Sequence, residues 1–243
     1  MSISFKVEPV VRKIYNPEAK LNVLCDDKKL VFGFPSFGSC NCRNIIEKIS
    51  NYDLLIPTGE QVIDLIHAVY MSSNIESDNF YKDNIKGIMN NRFLLTFNRL
   101  DFVYEGVYVS QISNLKDLTE KFNKDKFENK LKYGIKLKNG IRFSKDDKVR
   151  FAPKKNYGFG EHEKGTLAYD GFVIANYGIK GAEKLAEISR EFSNDPVTYG
   201  LEIDNKNGLE TRVSIIDGGK ELSIGASLIN YNNCYGFGLI DSE

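Results

Sequence analysis

The order in which the apolar period changes along the chain predicts the fold class. Ile3 to Ile14 alternates apolar and polar up to Pro9, as a half-buried edge strand does. Leu21 to Leu24 and Leu30 to Phe34 follow as two short strands, with Asp26-Asp27 between them as turn residues. The spacing then lengthens to that of helices. One is expected from Asn41 to Ser50 with Ser39 as its cap, carrying Ile45, Ile46 and Ile49 on one face. The next is marked by Thr58 and Gln61, the two ends of a capping box, before Val62, Ile63, Leu65, Ile66 and Val69. A third covers Asn79 to Asn90.

Period two returns at Arg92 to Asn98 and Phe102 to Val109, and Asn98-Arg-Leu-Asp101 between them reads as the turn of a hairpin. Residues 113–130 are strongly charged with a narrow apolar stripe. They predict a surface helix or linker, and they hold the one boundary at which a chain otherwise read as a single unit, 1–243, could divide. Beyond it, Asn139-Gly140 marks a hairpin within residues 131–144, and Val149 to Ala152 a further strand.

Thr166 is expected to cap a helix from Leu167 to Asn176 that Gly178 terminates, with Lys180 to Phe192 returning as the second arm of a helical hairpin. A meander closes the chain: Thr198 to Ile203, Glu210 to Ile216, Glu221 to Ile229 and Cys234 to Ile240. Its joints are Asn205 to Gly208, Asp217 to Gly219 and Asn230 to Asn233. Strands and helices come in runs rather than in strict alternation. The expected class is therefore α+β, with a mainly antiparallel sheet, clusters of helices and two intimately packed halves.

Composition narrows the function by exclusion. The 33 basic and 33 acidic side chains cancel, so the whole molecule has no long-range attraction for phosphate backbones or anionic lipid. With 42% apolar residues, charges in the first ten positions and no apolar run of spanning length, the chain reads as a soluble cytoplasmic protein away from membranes. Cys40-Asn-Cys42 is too tight for an ordinary disulfide or a zinc knuckle, so Cys25, Cys40, Cys42 and Cys234 are read as free thiols and no metal or cofactor is assigned.

One stretch concentrates candidate chemistry. Phe151 to Thr166 links a strand to a helix and carries Gly158, Gly160, Gly165 and one of two histidines. Its glycines fit neither the phosphate loop, which needs lysine after the last glycine, nor the dinucleotide fingerprint. His162 between Glu161 and Glu163 is the best acid/base candidate, because imidazole exchanges protons near neutral pH and a carboxylate orients it. Lys154, Lys155 and Lys164 supply positive charge, and Gly165-Thr166 a helix start, for a small anionic ligand. His67, inside an apolar helix, reads as structural.

The leading expectation is a non-catalytic binding or protein-interaction module, with a protein partner possible in principle. The alternative is a hydrolase or transferase acting through the 151–166 loop. The third is nucleic-acid binding through the basic, aromatic-interleaved run 132–155, in which Tyr133, Phe143 and Phe151 would stack on bases.

Overall fold

Thr58 shows how closely local chemistry sets the architecture. Its hydroxyl accepts from the Gln61 amide at 3.1 Å while the Gln61 side chain accepts from the Thr58 amide at 2.8 Å, and helix α2 (Gly59–Met71) starts there. The computed structural model describes residues 4–8, 19–25, 28–72, 79–200, 202 and 208–240. Ile3 and residues 9–14 of the first expected strand, the Asp26-Asp27 turn, Leu201 and Ile203, and residues 205–207 of the following turn lie outside them.

The chain is α+β. Strands β1 (Ser4–Glu8), β2 (Ala19–Cys25) and β3 (Lys28–Phe34) form an antiparallel three-stranded sheet. β4 (Phe37–Cys40) leads into α1 (Cys42–Asn51), which buries Ile45, Ile46 and Ile49. The cap of α1 is Asn41, not Ser39: the Asn41 carboxamide accepts from the Asn44 amide at 3.0 Å, and Ser39 is still within β4. α2 and α3 (Asn79–Asn91) follow as the spacing predicts.

β5 (Phe93–Val103) is the longest strand among the described residues, at 11 residues, and nine of them are buried. Here the expected hairpin turn is corrected. Asn98 to Asp101 does not turn; it runs straight through the middle of β5, and the reversal comes at Tyr104-Glu105 before β6 (Gly106–Gln111). The polar residues that resembled a turn are buried and paired. Arg99 donates to the Asp101 carboxylate at 2.9 and 3.2 Å, Thr211 donates to the same oxygen at 2.6 Å, and Asn98 reaches α6 (Gly171–Ile188).

The charged segment after β6 becomes two short helices, α4 (Leu115–Thr119) and α5 (Lys124–Leu131). They stay close to the sheet: Arg99 donates to the carbonyls of Asp117 and Glu120, and Tyr108 packs against Phe122 and Phe127. β7 (Ile135–Lys136) and β8 (Arg142–Phe143) flank the Asn139-Gly140 turn, where Gly140 has φ of 85°. β9 (Val149–Pro153) then pairs with β6, and β10 (Gly160–Glu161) lies in the loop that follows.

Asp170, not Thr166, caps the long helix: its Oδ1 accepts from the amides of Phe172 and Val173 at 2.9 and 3.0 Å. Thr166 begins only a four-residue 3-10 turn, to Tyr169. Gly178 breaks helical geometry as expected, at φ 77° and ψ 172°, so α6 consists of two helical segments, 171–177 and 179–188, joined at a kink.

The carboxyl-terminal strands are β11 (Val197–Tyr199), β12 (Glu210–Gly218), β13 (Leu222–Ser227) and β14 (Cys234–Gly236). Only β12 and β13 form the hairpin of the expected meander. β11 crosses over to pair in parallel with β13, and β14 leaves the hairpin to lie antiparallel to β4 and parallel to β5. The large sheet runs β10-β11-β13-β12-β5-β6-β9-β8-β7, so the β5–β6 pair from the first half of the sequence is flanked on both sides by strands of the second. The four cysteines are unpaired. Among the described residues no helix is long and apolar enough to cross a membrane.

Candidate functional site

A buried polar network fixes where β5, β12 and α6 meet. Thr96 and Asn176 both donate to the Ser214 hydroxyl, at 2.7 and 2.6 Å, which fills its two acceptor positions. Ser214 therefore donates to the Tyr177 hydroxyl, 2.9 Å away. The Asn98 amide nitrogen completes the network with bonds to the Asn176 carbonyl at 2.5 Å and side-chain oxygen at 2.9 Å. All five residues are buried, so each bond is made where a missing partner would cost roughly 1–3 kcal/mol.

Two of its members, Asn98 and Asn176, reach the floor of a cleft of about 190 Å³. One wall is the start of α2, pressed so closely on β5 that a Cβ at Gly59 would lie 2.3 Å from the Asn98 amide nitrogen. The opposite wall is the turn before β9, where Asp147, at φ 55°, grips Arg150 with two bonds of 2.8 and 2.6 Å. Gln111 and Lys148 lie at the end toward α5.

Glu60, on the first turn of α2, is the unusual group. Among the described residues its carboxylate has no direct hydrogen bond or ion pair. Burial holds it above the ordinary carboxylate range; Arg150 opposes that rise, while Asp64 and Asp147 add to it. Gly178 explains the geometry: the position of a Cβ there is 3.5 Å from Glu60 Oε2 and 3.5 Å from both terminal nitrogens of Arg150. Glu60 and Arg150 thus face each other across the kink of α6 without closing into an ion pair. A second opening of about 360 Å³ shares Glu60 and Thr58, and there Lys184 binds Asp64 at 2.5 Å and the Cys25 sulfur at 2.7 Å.

The residues singled out in the sequence occupy another place. His162 Nε2 lies 2.7 Å from the Thr198 hydroxyl, which donates to the Gly158 carbonyl at 3.0 Å. A hydroxyl has one proton, so Nε2 must donate to Thr198, and only Nδ1 is left to act as a base. Glu161 and Glu163 are exposed and neither bonds His162. The carboxylate within electrostatic reach of His162 is Asp170, and no hydrogen bond joins the two. Burial raises the Asp170 carboxyl, against bonds from the Val173 and Gly158 amides and the His162 charge.

Lys164 gives its ammonium to the carbonyls of Phe192 and Ser193. Lys154 and Lys155 are exposed in the 154–156 turn. Gly165 takes φ 94° and Thr166 bonds back to the Glu163 carbonyl at 2.8 Å, so these two form a turn rather than an open helix start. At the true start of α6 the two leading amides already hold Asp170. His67 bonds Glu187 at 2.6 Å and ties α2 to α6.

In the basic run, Phe143 and Phe151 are buried, and each is covered by an arginine, at 5.5 and 4.5 Å. Those arginines are paired in turn, Arg150 with Asp147 and Arg142 with Glu128 at 2.6 and 2.8 Å. Neither phenylalanine face is open to a base.

The cleft residues carry no local motif. Thr58 and Gln61 place Glu60 at a helix start, which was readable; Asn98, Gln111, Arg150 and Asn176 join it only through the folded chain. No protein-family model matches the sequence, and no curated protein is similar to it. A solved structure described as "Accommodation of massive sequence variation in Nanoarchaeota by the C-type lectin fold" superposes with a TM-score of 0.55 at 12% identity, covering 85% of this chain and 98% of that one. The similarity is one of fold: the α+β architecture described above resembles the C-type lectin fold.

Proposed function

We propose that this chain is a non-catalytic binding module that takes a hydrogen-bond-donating group, an amine or a set of hydroxyls, against Glu60 in the cleft at the start of α2. The observation that carries this reading is the half-buried Glu60 carboxylate with no direct partner. A desolvated anion of this kind is relieved by any ligand that brings donors to it.

Two features support binding over turnover. The cleft lining contains no histidine, cysteine or serine, and its one hydroxyl, on Thr58, is engaged by the Gln61 amide. The structure similar in fold accommodates massive sequence variation, and a framework with that tolerance suits a module whose surface determines what it holds.

Glu60→Gln tests the reading. In a thermal-shift screen of amines and polyols, compounds that raise the melting temperature of the parent protein should lose their effect in this variant. Hits that act equally on both proteins would sink the proposal. The unliganded variant gives a second readout. Because the folded-state pKa of Glu60 is raised, the native state holds its proton more tightly, so stability falls as pH rises through the ordinary carboxylate pKa toward the folded one. Glu60→Gln should remove that loss and so raise stability at pH 7 relative to the parent.

A second reading keeps the 151–166 loop as the acid/base site of a hydrolase or transferase. It is favoured by one observation, that His162 and the buried Asp170 both reach Gly158: the Gly158 amide bonds Asp170, and its carbonyl accepts from Thr198, the hydroxyl partner of His162. Hydrolysis of an ester or phosphoester panel that disappears in His162→Gln would select it.

A further inference from the structure

Beyond the Glu60 cleft a second cavity, of about 320 Å³, opens where β6, the turn before β9 and the α4–α5 segment meet. That volume is at the lower end of small-molecule sites. Its charge is one-sided: Arg99, Lys121, Lys126, Lys130 and Lys148 line it, against Asp117 and Glu120.

Most of these groups are already matched. Arg99 is bound to Asp101 and to the carbonyls of Asp117 and Glu120. Lys126 holds both oxygens of Glu120 at 2.8 and 2.9 Å. Asp117 accepts from the amides of Ser113 and Asn114 at 2.8 and 3.2 Å. The remainder is three ammonium groups, on Lys121, Lys130 and Lys148, that make no direct ion pair or side-chain hydrogen bond among the described residues. They come from three separate segments, and the hydroxyls of Ser110 and Ser113 stand with them in the lining. Asp146 lies near Lys130 without pairing with it directly.

We propose that this cavity is a binding site for a phosphate-bearing small molecule, with Lys121, Lys130 and Lys148 as its cationic contacts and Ser110 and Ser113 as neutral donors. Three like charges around one concavity repel each other until an anion enters. A phosphate matches them better than a carboxylate does. It offers three oxygens and up to two charges, and the compact ammonium is a point-charge partner for phosphate, whereas planar carboxylates favour the arginine fork. The volume leaves room for the group that the phosphate esterifies. The site adjoins the Glu60 cleft through Gln111 and Lys148 but does not depend on it.

The test is a titration of the full chain at low ionic strength with inorganic phosphate, glycerol 3-phosphate and acetate, followed by amide NMR. Both phosphates should shift the amides near 110–113, 121, 130 and 148 saturably, with acetate at least tenfold weaker. Tighter binding of glycerol 3-phosphate than of inorganic phosphate assigns the site to an ester, and the reverse order to the free anion; either supports the proposal. Lys130→Ala should weaken binding about three- to tenfold, Lys130→Glu more, and Lys130→Arg by less than threefold. These positions are exposed, and a melting curve checks that the fold is kept. Equal shifts from acetate and phosphate at matched ionic strength, or parental affinity in Lys130→Glu, would overturn it. Glu60→Gln should leave phosphate affinity unchanged, so failure here and failure of the Glu60 reading are separable.

Discussion

The Glu60 cleft and the 151–166 loop differ in how completely each satisfies itself. In the loop, His162 donates to Thr198, Thr198 to Gly158, Lys164 to Phe192, Thr166 to Glu163, and Asp170 accepts from three amides. Its part-buried groups hold one another, and the charges left over, on Lys154, Lys155, Glu161 and Glu163, are exposed on the surface. In the cleft the satisfied network lies underneath, and what faces the opening is a carboxylate without a direct partner. Chemically rich composition marks a tightly made loop in the first case. A ligand seat shows instead as unmatched groups on a rigid floor.

Three substitutions can break or sharpen this contrast. The largest effect is expected from Asn98→Leu, which strips the Asn176 carbonyl and side-chain oxygen of their donor in a dry interior. It should cost about 3 kcal/mol in urea unfolding and open the cleft floor. A loss under about 1 kcal/mol would mean the floor is not rigid. Gly178→Ala comes next, at about 1–2 kcal/mol, because a side chain at φ 77° is strained whatever the space around it. Its amide signals should move around Glu60 and Arg150, and changes confined to α6 would separate the kink from the cleft. His162→Ala should cost only about 1 kcal/mol, one part-buried hydrogen bond. A larger loss than that of Asn98→Leu would reverse the comparison.

Much of the helical layer was legible because its signals are local. The Thr58 and Gln61 box, the apolar stripe of α1 and the Asn139-Gly140 turn each act within a few residues. Errors fell where a distant partner changes what a residue means. Asn98-Arg-Leu-Asp101 has turn composition, yet partners 78 and 110 residues away make it the interior of a strand. Gly178 separates two helical segments, as its residue type implies, because its φ of 77° is a conformation that glycine takes without strain. Thr166 and Asp170 are both acceptable caps by residue type; the Gly158 amide, bonded to the other oxygen of Asp170 at 3.2 Å, favours the second. The candidate site was the least legible of all, since its lining is assembled from five stretches of chain between Thr58 and Asn176.

β5 carries one more consequence, for the order in which the molecule can be made. Its neighbours are β6, which is adjacent in the chain, and β12 and β14, which begin more than a hundred residues after it ends. During synthesis the longest strand therefore waits with one side unpaired while the ribosome adds the whole of α4 through β11. Long-range closure of this kind is slow, and the waiting edge is a template for foreign strands. Its middle carries Arg99 and Asp101, charges that discourage such pairing until Thr211 arrives on β12 to cover them. The same buried polar residues that disguised the strand would then serve as its guard before the fold is complete.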